Sequence, residues 1–199
     1  NAEKLFCGEN FTFGKDRKGT ALYLKEKAES FGIETVIIPT VSINKKEISS
    51  TFMKTLLEEG RIKELNEISE REYSFKLKIE EGRKLGREMG FKTINQRLPS
   101  DLCEIRKGVY AVRVKIADET YEGVCNIGVK PTVTDENERF SETHIFDFDK
   151  DVYGEYAEIF LVDFIREEKK FGSLEELKKQ INADKQTALN IIKTNRKEE

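Results

Sequence analysis

The 199 residues are 37% hydrophobic and 37% charged, with 35 basic against 38 acidic side chains and a net charge of −3, enough chain for one well-packed domain or a small domain with a compact partner. Interspersed charge of balanced sign sets up no field to draw a polyanion, which argues against a nucleic-acid protein. The longest apolar runs, Val36-Ile37-Ile38 and Ile159-Phe160-Leu161-Val162, are strand-length and too short to span a bilayer. Cys7, Cys103 and Cys125 lack the paired spacing of a zinc site or a disulfide framework, and no signal peptide is evident, so the expected compartment is the cytoplasm.

The chain opens Asn1-Ala2 rather than with methionine, and these two residues are set aside. Lys4 to Cys7 reads as a short strand. Ala21, Leu24, Ala28 and Phe31 recur at helical spacing up to Gly32, and Thr35 to Ile38 is a second strand ended by Pro39. Strand, helix and strand in that order predict a parallel pair with the helix packed across it. Ser49 or Ser50 can cap a helix carrying Met53, Leu56 and Leu57, and Gly60 separates it from a shorter one carrying Ile62, Leu65 and Ile68.

From Tyr73 the period changes to two. Tyr110, Val112, Val114 and Ile116 alternate with Arg113 and Lys115, a half-buried strand joined across Asp118-Glu119 to another at Thr120 to Ile127. Further strands are read at Phe75 to Ile79, Thr143 to Phe148 and Tyr156 to Ile165, and closing into a small barrel is the usual way for so many antiparallel strands to hide their edges. Ser173 and Glu176 form a capping box before a helix with Leu174, Leu177, Ile181, Ala188 and Ile191 on one face; Asp184 falls within that stripe and calls for a donor on the barrel, or borders a site. Residues 194 to 199 are expected to fray. The expected architecture is α+β, a small antiparallel Greek-key β-barrel with a C-terminal helix over residues 71–199. A partial α/β, Rossmann-like segment precedes it over residues 1–70.

The segment from Glu81 to Asn95 carries glycines at 82, 86 and 90. These let the backbone turn tightly and approach phosphate oxygens, while Arg83, Lys84 and Arg87 bring positive charge. It is neither a Walker loop nor a dinucleotide fingerprint, and by spacing alone a glycine-containing surface loop would read the same. The segment resembles the loop and Pro-Thr-Ala-Asn signature of riboflavin kinases, whether these occur alone or as the C-terminal half of bacterial FAD synthetases. Further matches follow in order: Gly108-Val109-Tyr110, Asn126-Ile127-Gly128-Val129-Lys130-Pro131-Thr132, Glu142-Thr143-His144-Ile145, Asp151-Val152-Tyr153-Gly154 and Ile165-Arg166-Glu167-Glu168-Lys169-Lys170-Phe171.

The resemblance implies a six-stranded barrel with ATP and magnesium on one side and riboflavin, the precursor of FMN, on the other. It assigns phosphates and metal to Thr93 and Asn95, and adds Gly82, Gly86, Gly90 and Arg166 as ligand-binding residues. A hydroxyl and an amide carbonyl are hard oxygen ligands of the kind magnesium accepts. Glu142 is the implied general base. An alcohol is too weakly acidic to ionise at neutral pH, so a carboxylate must take its proton as the phosphoryl group arrives. The chain departs from the signature at Lys92, in place of proline and read as solvated, and at Ile94, in place of alanine. His144, two residues from Glu142, either borders the site or is packed.

The first third resembles the adenylyltransferase domain of FAD synthetase through Gly8-Glu9-Asn10-Phe11-Thr12-Phe13-Gly14-Lys15 and Ile48-Ser49-Ser50-Thr51. That domain's phosphate-binding His-x-Gly-His motif is not in the sequence, and the arginine that usually follows Ser-Ser-Thr is Phe52, so FMN adenylyltransferase activity is not expected of this chain. The alternatives are a fragment of a bifunctional riboflavin kinase/FMN adenylyltransferase, a non-catalytic flavin-binding barrel, and a barrel for single-stranded nucleic acid, which should show a basic groove with exposed aromatics. The sequence leaves the oligomeric state open.

Overall fold

A computed structural model describes residues 2–43, 46–82, 91–130 and 138–195. Two compact units divide between Phe52 and Met53.

In the first unit, strands β1 (Lys4–Gly8), β2 (Thr12–Phe13) and β3 (Gly19–Thr20) lead into helix α1 (Ala21–Glu29) and strand β4 (Glu34–Ile38), followed by the short strands β5 (Ser42–Ile43) and β6 (Lys46–Glu47). As expected, β1 and β4 pair in parallel, Leu5 opposite Thr35 and Cys7 opposite Ile37. Thr20 caps α1, its Oγ1 accepting from the Tyr23 N–H at 3.2 Å, and Gly32 takes the left-handed turn beyond it at φ 72°. Phe31, expected in the apolar stripe, lies past the last helical turn and is exposed.

Helix α2 (Ser50–Glu59) is capped by Ser49, whose Oγ accepts from the Phe52 N–H at 3.2 Å. Gly60, at φ 72°, turns the chain into helix α3 (Ile62–Ser69). The second unit then adds strands β7 (Tyr73–Lys78), β8 (Thr93–Arg97), β9 (Gly108–Ile116), β10 (Glu119–Lys130), β11 (Glu138–Ile145) and β12 (Tyr156–Arg166), and helix α4 (Leu174–Asn195). Asn66 fastens α3 to the sheet, donating to the Leu161 carbonyl at 2.8 Å and accepting from the Tyr73 N–H at 2.8 Å.

Among the described residues the six strands run antiparallel in the order β7-β12-β9-β10-β11-β8, and the stretch β12-β9-β10-β11 is a Greek key. A bridge between Glu80 and Asn95, with the Glu80 N–H on the Asn95 carbonyl at 2.8 Å, joins the two ends of the sheet. Inside, the buried Gln96 amide donates to the carbonyls of Leu77 at 2.8 Å and Ala157 at 2.9 Å, tying β8 to the strands facing it. Tyr110, Val112, Val114, Ile145, Ile159 and Leu161 fill the interior; each aliphatic side chain so buried contributes about 1.5–3 kcal/mol.

Helix α4 packs on the outside, its Ala188 and Ile192 against Val109, Ala111, Val124, Phe146 and Val162. The half-buried alternation expected of β9 therefore holds only at its far end, because α4 covers Val109 and Ala111 on the other face. The capping box forms with a shift. Ser173 Oγ accepts from the Glu176 N–H at 3.2 Å, and the Glu176 carboxylate takes the N–H of Gly172 at 3.0 Å. Two boundaries differ from expectation. Thr93 to Asn95, read as the end of a loop, belong to strand β8, and the strand expected at Thr143 to Phe148 runs from Glu138 to Ile145, with the positive φ of Asp147 turning the chain away beyond it. Of the tail expected to fray, Thr194 and Asn195 still belong to α4, and residues 196–199 lie outside the described residues.

Candidate active site

Strand register sets one row of side chains across the barrel: Asn95 of β8 lies opposite Glu142 of β11, Glu142 opposite Asn126 of β10, Asn126 opposite Val109 of β9, and Val109 opposite Arg166 of β12. The next row holds Thr93, His144 and Val124. Directly paired residues share a face, so both rows point outward, towards α4. Arg166 reaches its place through an irregularity in β12. Phe164 faces Tyr110 inside, and strict alternation would aim Arg166 inward as well; the extra residue at Ile165 turns it out.

A cavity of about 330 Å³ separates these rows from the first half of α4, walled by Phe91, Val109, Val124, Phe171, Leu177 and Ile181, with Thr93, Asn126, Glu142, His144, Arg166, Glu168 and Asp184 presenting polar atoms. This volume and mixture suit a small, largely apolar ligand held by a few polar groups. Within it Thr93 Oγ1 donates to Glu142 Oε1 at 3.2 Å, and Asn126 Nδ2 donates to Glu168 Oε1 at 3.2 Å. Gly128 lies beneath Glu168, whose Oε1 stands 2.4 Å from where a Cβ would be. Asp184, 4% exposed, takes a two-pronged bond from Arg166, Nε to Oδ1 at 2.9 Å and Nη2 to Oδ2 at 2.7 Å, and a third from Gln180 at 2.8 Å. The donor expected for Asp184 is thus Arg166, and the pair forms part of the cavity wall.

A smaller cavity of about 40 Å³ lies next to Thr93 on its other side, among Gly82, Lys92, Asn95, Asp151 and Tyr153. Asn95 lies directly over Gly82, where a Cβ would meet its Nδ2 at 2.1 Å. Thr93 therefore borders both cavities, with the carboxylate of Glu142 on one side and the amide of Asn95 on the other. Gly86 and Gly90, with Arg83, Lys84 and Arg87, lie outside the described residues.

His144 borders the large cavity and is also packed. Its Nδ1 is 2.9 Å from the Lys92 carbonyl oxygen, and its ring meets Phe91 and Phe146 edge-on at 5.1 and 5.6 Å. Burial lowers its pKa, which favours the neutral ring with the proton on Nδ1. Lys92, read as solvated, is paired with Asp149. Burial pushes the Cys125 thiol up to about 12, making it a packing residue rather than a nucleophile. Asn126, Glu168 and Phe171 were matched in the sequence only as motif positions, yet they line the cavity. The signal for Asn126 was its distance along the β9–β10 hairpin, which fixes it opposite Val109.

The constellation is thus a barrel-borne carboxylate hydrogen-bonded to a hydroxyl between two adjoining cavities. A model of the riboflavin kinase family matches residues 69–192, so the chain belongs to the riboflavin kinase family. A second model, of FAD synthetase, matches residues 1–52. The bifunctional riboflavin kinase/FMN adenylyltransferase of Bacillus subtilis is 35% identical over 199 residues, covering 99% of this chain and 63% of the relative. That of Escherichia coli K12 is 33% identical, over 92% of this chain and 58% of the relative. The chain thus spans about three-fifths of the length of these curated relatives. A crystal structure described as a macrolide-efflux protein from Streptococcus pneumoniae superposes with a TM-score of 0.82 at 33% identity, covering 92% of this chain and 59% of that one.

Proposed function

We propose that the chain is a riboflavin kinase that transfers the γ-phosphate of ATP to the primary hydroxyl of riboflavin, giving FMN and ADP. The observation that carries this reading is the Thr93–Glu142 hydrogen bond at the junction of the two cavities. Riboflavin is assigned to the large cavity, its ring system against Phe91, Phe171 and the aliphatic wall, and the nucleotide phosphates to the side of Gly82, Thr93 and Asn95. Glu142 is the general base that accepts the hydroxyl proton, and Arg166, fixed by Asp184, is a ligand-binding residue.

The site fits magnesium. Thr93 and Asn95 offer a hydroxyl and an amide oxygen, both hard donors, and the Asn95 amide packs closely over the backbone of Gly82. Among the described residues no three His, Cys, Asp or Glu side chains cluster into a ready-made cage, so the ion would share these oxygens with the phosphates it accompanies. Bound there, magnesium would screen the phosphate charge.

Residues 71–199 are proposed as the kinase domain and residues 1–70 as a nucleotidyltransferase-like segment without transferase activity of its own. The FAD synthetase match at residues 1–52 favours a second reading, in which the chain is a fragment of a bifunctional enzyme. Among the described residues no helix is long and apolar enough to cross a membrane. A soluble cytoplasmic enzyme is proposed, acting on small molecules rather than nucleic acid. The test is ADP release from MgATP with and without riboflavin. A riboflavin-dependent rate supports a kinase; riboflavin binding without ADP release would make the barrel a flavin carrier.

A further inference from the structure

The placement of Thr93 depends on the residue before it, which lies outside any regular element. Lys92 is held at two points. Its carbonyl meets His144 Nδ1 at 2.9 Å, linking it to β11. Its ammonium pairs with the Asp149 carboxylate and donates to the Asp149 carbonyl at 3.2 Å, linking it to the segment that runs on to Asp151 and Tyr153 in the wall of the small cavity. His144 is itself the strand partner of Thr93, so the first bond fixes the backbone immediately before Thr93 relative to Glu142 two residues away. A bond at each end of one residue restricts rotation of the chain more than either bond alone.

We propose that Lys92, held at its carbonyl by His144 and at its ammonium by Asp149, is a positioning residue that sets where the Thr93 hydroxyl stands between the two cavities. Its bonds go to His144 and Asp149, and it acts through Thr93. Lys92 is 34% exposed and Asp149 91%, so the ion pair is screened and its contribution is small. Its removal should cost about two- to fivefold, the range such exposed pairs span.

The proposal rests on the kinase reading, and the experiment separates the two. In the full chain, Lys92→Ala, Asp149→Ala and the double variant are assayed for FMN formation with KM and kcat resolved. Expected are a two- to fivefold rise in KM for MgATP in each single variant, no further rise in the double variant, kcat near the parent value, unchanged riboflavin affinity, and recovery in Lys92→Arg, which retains the pair. An unchanged KM in Lys92→Ala overturns the proposal. So does a rise in Lys92→Ala that Asp149→Ala does not share, since Lys92 would then be meeting phosphate itself, and so do additive losses in the double variant. If the parent makes no FMN, the kinase reading fails, and the clamp is judged instead by amide hydrogen exchange at Thr93. Faster exchange in Lys92→Ala and Asp149→Ala alike supports it, and parental exchange in either refutes it.

Discussion

The two units of this chain carry sheets that differ in how far they are enclosed. In residues 1–52 the parallel pair β1–β4 leaves Phe6 64% and Ile38 49% exposed. In residues 53–199 the sheet curls until its ends meet, with Gln96 bonded inside it and α4 laid outside it. Enclosure on both sides is what allows a barrel face to hold polar groups in fixed positions. Glu142, Thr93 and Arg166 stand on strands fixed from within by an interior close to fully buried and from without by a helix. Among the described residues the first unit offers no comparably enclosed row of polar groups, and it carries Phe52 where the resembling motif has an arginine.

The sharpest way to break this comparison is to remove the chemistry and leave the enclosure intact. Glu142→Gln keeps the shape and removes the proton acceptor, so FMN formation at saturating MgATP and riboflavin should fall by about a hundred- to ten-thousandfold. Riboflavin affinity, read by fluorescence titration, should barely move. A rate within a few-fold of the parent would exclude Glu142 as the base. Of the cavity's other carboxylates, Asp184 is committed to Arg166 and Glu168 accepts from Asn126.

Loosening the enclosure should appear first as lost stability. Asp184→Ala strips the carboxylate from Arg166 and leaves a partly buried guanidinium without its main partner. Because Arg166 is 23% exposed, the expected cost is about 2–3 kcal/mol, at or below the lower end for fully buried pairs. Thermal or urea unfolding would measure it, and a change below about 0.5 kcal/mol would mean that α4 is held by its apolar contacts alone.

A third substitution acts at the junction of the two cavities. Thr93→Ala should weaken the use of MgATP by about ten- to a hundredfold while leaving riboflavin affinity nearly unchanged, since charge-assisted hydrogen bonds and ligand oxygens of this kind contribute about 1.5–3 kcal/mol. Equal losses for both ligands would show that the two cavities do not divide the substrates. The smallest effect is expected from the first unit. With FMN and ATP as substrates the chain should yield neither FAD nor pyrophosphate, and the two appearing together would assign residues 1–70 a working transferase role.

Much of this was legible in the sequence, for reasons that can be named residue by residue. Period-two stretches such as Tyr110 to Ile116 marked the barrel strands, and Ser173 with Glu176 marked the start of α4. Glu142 stood out by motif resemblance, not by any local pattern. What alternation could not show was the aim of Arg166, because an extra residue at Ile165 reverses its face and bulges leave no periodic trace. Nor could it show β8, since Thr93-Ile94-Asn95-Gln96 carries two amides and one of them, Gln96, is spent inside the barrel. Lys92 read as solvated because its partner, Asp149, is far away in sequence. Asp184 was recognisable as needing a donor, but only the fold brings Arg166 to it.

The proposed transfer, in the cavity bearing Glu142, joins riboflavin to the terminal phosphate of ATP. The most direct measurement follows γ-labelled ATP incubated with the chain, magnesium and riboflavin, with the products separated and counted. Label is expected in FMN, one equivalent for each ADP formed, and none when magnesium is chelated. Label that stays in ATP while riboflavin is bound, or that appears only as inorganic phosphate, would contradict it.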